Sequence, residues 1–227
     1  MMSGNTLADP QVKAVLDRLH REAKGDRWRI ARALPSVALA WMKGGAKAIE
    51  PALRPYLGDA YLPLSPAQGR FLYLTARALG ARRALEFGTS FGISLHYLAA
   101  AVKDNGGGIA IGSEAERHKW ERARAHLAES GLADHAEIRL GDALQTLADV
   151  PAPVDLVLLD GWKDLYLPML DLLTPKLRKG AVVMADNIHT FRTTLAPYVE
   201  RVQSGRHGFQ STTLPLADGF EYSVYVG

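Results

Sequence analysis

The chain has 227 residues, 48% of them hydrophobic and 22% charged, with a formal net charge of +3 and no cysteine. That length suits one globular domain with additions, and the apolar share excludes disorder, collagen and a coiled-coil rod. Without cysteine there is no disulfide framework, thiolate nucleophile or cysteine-based metal centre, so a metal would have to be held by oxygen or imidazole.

The charge is uneven. Residues 1–80 carry 12 Lys+Arg against 6 Asp+Glu, and residues 81–227 carry 15 against 18. The basic residues Arg18, Arg21, Lys24, Arg27, Arg29 and Arg32 fall among apolar ones at helical spacing, as on a solvated helix face, without the interleaved aromatics of a nucleic-acid stripe. No nucleic-acid partner is expected. The apolar stretch 31–42 starts too late for a signal peptide, is interrupted by Pro35 and is too short to span a bilayer. No membrane partner is expected either, and the chain is read as cytoplasmic.

In chain order, Val12, Val15, Leu16 and Leu19 recur at three and four residues, which predicts an amphipathic helix over 9–34. Pro35, Gly44-Gly45, Pro51 and Pro55 should cut the next stretch into short helical pieces and turns. Ser65-Pro66 opens a helix over 67–79 that stops at Gly80. Residues 1–65 thus read as a helical cap on the same domain as a core over 66–227. Within the cap, Trp28, Trp41 and Met42 admit a substrate lid or a homodimer contact, but a core role is the expectation for such large apolar side chains.

Beyond Gly80, short apolar runs at 83–87, 108–112, 136–140, 154–159 and 181–185 alternate with helical stretches near 91–103, 115–130, 142–148 and 164–178. This alternation predicts an α/β fold, a doubly wound and mostly parallel sheet. Runs at 210–216 and 221–226, separated by Ala217-Asp218-Gly219-Phe220, predict an antiparallel pair at its edge.

Ligands of an open α/β sheet bind beyond the carboxyl ends of its strands. The first run ends Glu86-Phe87-Gly88-Thr89-Ser90-Phe91-Gly92, a glycine-bearing turn that lacks the G-x-G-x-x-G of dinucleotide binding, which disfavours a nicotinamide dehydrogenase. The next ends Ser113-Glu114, an acid placed where a ribose could be held, and the third Gly141-Asp142-Ala143. Like charges converging on one edge repel unless a ligand or cation uses them. The fourth and fifth end Asp160-Gly161-Trp162-Lys163 and Asp186-Asn187. Two carboxylates and an amide oxygen suit Mg²⁺, which keeps waters in a near-octahedral shell at roughly 2.0–2.1 Å, although Mn²⁺ and Ca²⁺ also accept oxygen ligands. The bland alternative is that Asp160 and Asp186 cap helices and Asn187 takes a turn conformation. The seven histidines show no H-x-x-x-H spacing and are read as structural.

Taken together, Leu85-Glu86-Phe87-Gly88-Thr89-Ser90-Phe91-Gly92, Ser113-Glu114, Gly141-Asp142-Ala143, Leu158-Leu159-Asp160-Gly161-Trp162-Lys163 and Ala185-Asp186-Asn187 resemble the class I S-adenosylmethionine-dependent methyltransferases. Within them the series is similar to the catechol and caffeoyl-CoA O-methyltransferase group, over about residues 62–227. The resemblance implies a Rossmann-like fold, S-adenosylmethionine as cofactor, and a small hydroxylated, aromatic substrate. It implies that Glu86 and Gly88 hold the methionine part, with Ser94 at its carboxylate. Glu114 would take the ribose hydroxyls, Asp142 and Ala143 would border the adenine, and Leu62 and Leu64 would close over the cofactor. It further implies Asp160, Asp186 and Asn187 as metal ligands, Lys163 as general base and Trp162 as a wall of the site. Gly161 stands where the animal catechol enzymes carry a histidine, and about Thr212 where they carry a glutamate, which sets the substrate apart.

The chemistry is coherent in its own right. Methyl transfer from a sulfonium is an in-line displacement that needs reacting atoms held at roughly 3–3.5 Å. A phenol, with a pKa of about 10, is mostly protonated at neutral pH. A divalent cation stabilises its phenolate while a neighbouring lysine takes the proton. Two other readings compete: a metal-independent methyltransferase, and a catalytically idle cofactor-binding protein acting on a partner through its basic N-terminal face.

Overall fold

The computed structural model describes residues 5–25, 27–48, 52 and 64–227, with only the backbone at 27–33 and 46–47. Pro51 and Pro55, expected to break the chain, and Leu62, expected at the cofactor, lie outside the described residues. Helix α1 (Pro10–Gly25) buries Val12, Val15, Leu16 and Leu19 on one stripe. The expected helix over 9–34 is described as α1 up to Gly25 and as α2 (Arg27–Gly44), which runs on past the expected end through Pro35; Asp26, between them, lies outside the described residues. A proline inside a helix costs one hydrogen bond and crowds the preceding turn, but here it does not break the helix. The core role expected of Trp41 and Met42 is overturned: on α2 they are 57% and 74% exposed, beside exposed Leu34 and Leu39. The side chain of Trp28 lies outside the described residues.

Ser65 and Gln68 close a capping box on α3 (Pro66–Ala78), with Pro66 in the first turn. Then come β1 (Arg83–Phe87), α4 (Ile93–Asp104), β2 (Ile109–Glu114), α5 (Arg117–Glu129), β3 (Ala136–Leu140), the short α6 (Ala143–Thr146), β4 (Val154–Leu159), α7 (Tyr166–Leu173), β5 (Leu177–Ala185), α8 (Arg192–Gln203), β6 (Phe209–Leu214) and β7 (Phe220–Tyr225). The sheet order is β3-β2-β1-β4-β5-β7-β6, with β7 antiparallel to both its neighbours and the other pairs parallel.

Strand β4 shows why the sheet reads as unbroken apolar runs. All six of its residues are buried, Leu156 and Leu158 in the core cluster that also holds residues of α1, α3 and α4, and Val157 and Leu159 in the one that holds residues of α7 and α8. Its one charge, Asp155, is paired with Arg178 at 2.6 Å and accepts the backbone amides of Arg82 and Arg83 at 2.8 Å. Helix α4 is buried along nearly its whole length. At its end Asp104 accepts the Thr6 amide at 2.8 Å, the Thr6 hydroxyl at 2.6 Å and the Tyr73 hydroxyl at 2.6 Å. Thr6 is thereby fixed against the end of α4.

Candidate active site

Parallel strands bring the carboxyl ends of β1, β2, β3, β4 and β5 to one rim. The strand order reverses between β1 and β4, the position at which an open α/β sheet leaves a crevice. The turn between β6 and β7 reaches the same rim beside β5, where the amides of Ile188 and His189 donate to the carbonyls of Gly219 and Asp218 at 3.2 and 2.9 Å.

At the tip of β1, Glu86 is wholly buried, and neither carboxylate oxygen has a hydrogen-bond partner among the described residues. Burial pushes its pKa up to about 7; the hydroxyls of Ser94 and Thr89 hold it down in part without closing a hydrogen bond, and Glu114 adds to the rise. Gly88 takes φ +95°, and a Cβ there would sit 2.6 Å from the backbone of Gly161. Gly161 in turn has no room for a side chain, since its Cβ would lie 2.5 Å from the Phe87 ring. These two glycines let the tips of β1 and β4 touch. Glu114 braces the turn by accepting the Ser90 amide at 2.7 Å and the Glu116 amide at 2.8 Å. Below it, His126 and His96 donate Nδ1–H to the carbonyls of Phe91 and Gly92 at 3.1 and 2.6 Å; burial lowers the pKa of both, so they hold the turn as neutral imidazoles.

At the tips of β4 and β5 stand Asp160 and Asp186, side by side because Leu159 pairs with Ala185. Burial pushes Asp160 up to about 8; Lys163 opposes the rise, while Asp186 and Glu86 add to it. Asp186 is also raised by burial, against Lys163, the Asn187 amide and Gln68. Asn187 takes φ +66°, a left-handed turn that asparagine tolerates. Lys163 is buried, with Nζ 3.4 Å from Asp160 Oδ1 and donating to the Tyr166 hydroxyl at 2.7 Å. That hydroxyl donates to the Asp186 carbonyl at 3.3 Å. Tyr166 thus ties the lysine to the strand tip carrying the second acid.

A family model described as a methyltransferase domain matches residues 85–188. A catechol O-methyltransferase from Mycobacterium tuberculosis is 36% identical over 128 residues, 56% of this chain and 57% of that protein. A caffeoyl-CoA O-methyltransferase from Zea mays is 29% identical over 129 residues, 54% of this chain and 49% of that protein. The chain spans about half the length of these curated relatives. Among solved structures, the O-methyltransferase TomG from Streptomyces achromogenes, involved in tomaymycin synthesis and in complex with S-adenosylmethionine, is 30% identical with a TM-score of 0.68, over 80% of this chain and 89% of that one. The chain belongs to the S-adenosylmethionine-dependent O-methyltransferases.

In this family member the strand ends and the turns after them carry Glu86, Gly88, Glu114, Asp160, Trp162, Lys163, Asp186 and Asn187 to one edge of the sheet, with Ser94 in the first turn of α4. Leu64 is buried just ahead of α3. Asp142 is exposed and caps α6 by accepting the Leu144 amide at 2.9 Å, with Ala143 buried behind it. Thr212 is exposed on β6, so no carboxylate stands at that place. Two rim residues escaped the sequence reading. Gln68, 2% exposed, donates Nε2–H to Asp186 Oδ1 at 2.8 Å. Asp218, in the β6–β7 turn, adds to the upward push on Asp186 while its Oδ2 accepts the Thr190 amide at 3.3 Å. The S-x-x-Q spacing of a capping box signals Gln68 as a cap; nothing local signals its reach to Asp186.

Proposed function

We propose that this chain transfers a methyl group from S-adenosylmethionine to a hydroxyl of a small catechol-like or other vicinal-diol substrate, with a divalent cation assisting and Lys163 as general base. The observation that carries the reading is the pair of buried acids Asp160 and Asp186 beside the buried Lys163. Two carboxylates pushed upward by burial, Asp160 further by Asp186 and Asp186 further by Asp218, are an unfavourable arrangement unless protons or a cation lie between them. Among the described residues no cluster of three histidine or acidic side chains forms a metal site, so a cation here would depend on the Asn187 amide oxygen as third ligand. Two carboxylates and one amide oxygen fit Mg²⁺, Mn²⁺ or Ca²⁺. The unpartnered, buried Glu86 carboxylate beside the Gly88 cradle fits the methionine end of the cofactor.

When bound, the cofactor supplies an electrophilic methyl on a sulfonium, and the cation favours the ionised form of a substrate hydroxyl. The remaining work falls to the chain. Glu86, Gly88 and Ser94 hold the methionine end, and Leu64 closes over it. Each oxygen of Glu114 already accepts one amide and keeps a lone pair for a ribose hydroxyl. Asp142 and Ala143 border the adenine. Lys163 Nζ receives the substrate proton, held in place by Tyr166 and Asp160, and Trp162 walls the pocket. Relatives named for catechol and caffeoyl-CoA support an aromatic diol as acceptor.

A metal-independent methyltransferase is the second reading, favoured by the Lys163–Asp160 contact, which offsets one acid without any cation. Calorimetric titration with S-adenosylhomocysteine, followed by a methyl-transfer assay on a catechol panel with Mg²⁺ and then with EDTA, separates them. Binding with EDTA-sensitive turnover is the expected result. Turnover indifferent to EDTA sinks the cation's role, and absence of cofactor binding sinks the whole reading.

A further inference from the structure

We infer that Gln68 is a positioning residue for the cation site: its side-chain amide sets the Asp186 carboxylate and ties it to the first turn of α3. The inference rests on the proposed divalent-cation role. In an ordinary capping box the residue three positions into the helix spends its side chain on reaching back to the cap. Gln68 does so, since its Oε1 accepts the Ser65 backbone amide at 2.8 Å while its backbone N–H donates to Ser65 Oγ at 3.2 Å. Its other end continues across the fold, and Nε2 donates to Asp186 Oδ1 at 2.8 Å, a buried bond between residues 118 apart in sequence.

Only an amide can do both. Glutamate, the other usual capping-box residue, would keep the cap but offer Asp186 no donor and set a third negative charge beside Asp160 and Asp186. Leucine would fill the space and make neither bond. A lysine would orient Asp186 but cancel the charge a cation needs. The neutral amide joins the Asn187 backbone amide in holding the carboxylate, so Asp186 is kept in one orientation with its charge intact.

Residues that orient metal ligands in this way typically change metal affinity by roughly 10–100-fold when removed. The test uses Mn²⁺ as probe on the metal-free, full-length chain, with free Mn²⁺ read by electron paramagnetic resonance and S-adenosylhomocysteine affinity measured in parallel by calorimetry. Gln68→Leu should weaken Mn²⁺ binding by roughly 10–100-fold and leave S-adenosylhomocysteine affinity unchanged. Gln68→Glu, which preserves the capping box, should lose as much. Ser65→Ala removes the cap hydroxyl but leaves the amide on Asp186, and should bind Mn²⁺ as the wild type does. Wild-type affinity in Gln68→Leu or Gln68→Glu overturns the inference. So does an equal loss in Ser65→Ala, which would reduce Gln68 to a helix cap. A wild-type chain that takes up S-adenosylhomocysteine but no Mn²⁺ overturns the cation reading itself, and this inference with it.

Discussion

Glu86→Gln should make the ligand-free chain more stable while weakening its hold on the cofactor. The carboxyl is wholly buried, and its pKa is pushed from 4.5 to about 7, chiefly by burial. Between those values the folded chain keeps a proton that the unfolded chain has released, so the stability contributed by this residue falls as the pH rises across the window. At about 1.4 kcal/mol per pKa unit, the rise amounts to about 3 kcal/mol by pH 8. Glutamine has the same shape and carries no charge to desolvate, so most of that cost is removed. For a chain of this size about 2–4 °C accompanies each kcal/mol, which sets a ceiling of roughly 6–12 °C on the gain in melting temperature at pH 8. Calorimetric melting of both chains between pH 4.5 and pH 8 should show a gap that opens with pH. S-adenosylmethionine affinity should fall by about tenfold or more, as expected when a charge-assisted hydrogen bond is lost. Equal melting at pH 8, or a gap that is just as wide at pH 4.5, would refute the argument from burial.

Lys163→Met should lower methyl transfer by about 10²–10⁴-fold, the usual loss when a general base is removed, while S-adenosylhomocysteine titrates as before; undiminished turnover on a good acceptor would remove the lysine from the chemistry. Gly161→Ala should destabilise by about 1–3 kcal/mol, because the added methyl meets the buried Phe87 ring at 2.5 Å. An unchanged denaturant midpoint would show that β1 and β4 can part at their tips without cost.

Much of the sheet was legible because its central strands are buried on both faces. Strands β1 and β4 have the expected limits, since each is a largely apolar, buried run stopped by glycine or an acid, and the edge strand β3, where polar residues alternate with apolar ones, stops as expected at Gly141. Strand β5 begins four residues earlier than its apolar run because Arg178, polar and half-buried, serves as the partner of Asp155. Helix α8 went unread: Pro197 stands inside it, and its buried Leu195, Tyr198 and Val202 were the signal that could have revealed it. The same reliance on proline as a breaker misplaced the end of the helical region at Pro35. The acids of the rim were legible because parallel strands deliver all their carboxyl ends to one edge. Gln68 and Asp218 were not, because they arrive from a helix cap and a hairpin turn whose partners lie far away in sequence. Local pattern carries no information about such meetings.

Thr6 on Asp104 and the Ser65–Gln68 box fasten the chain on either side of the stretch 26–63, with α1 packed firmly into the core just before it. Asp104 and Gln68 keep their partners through bonds that do not run through that stretch, and Gln68 carries its hold on to Asp186. The two fastenings thus anchor the chain to the sheet and to the rim independently of each other.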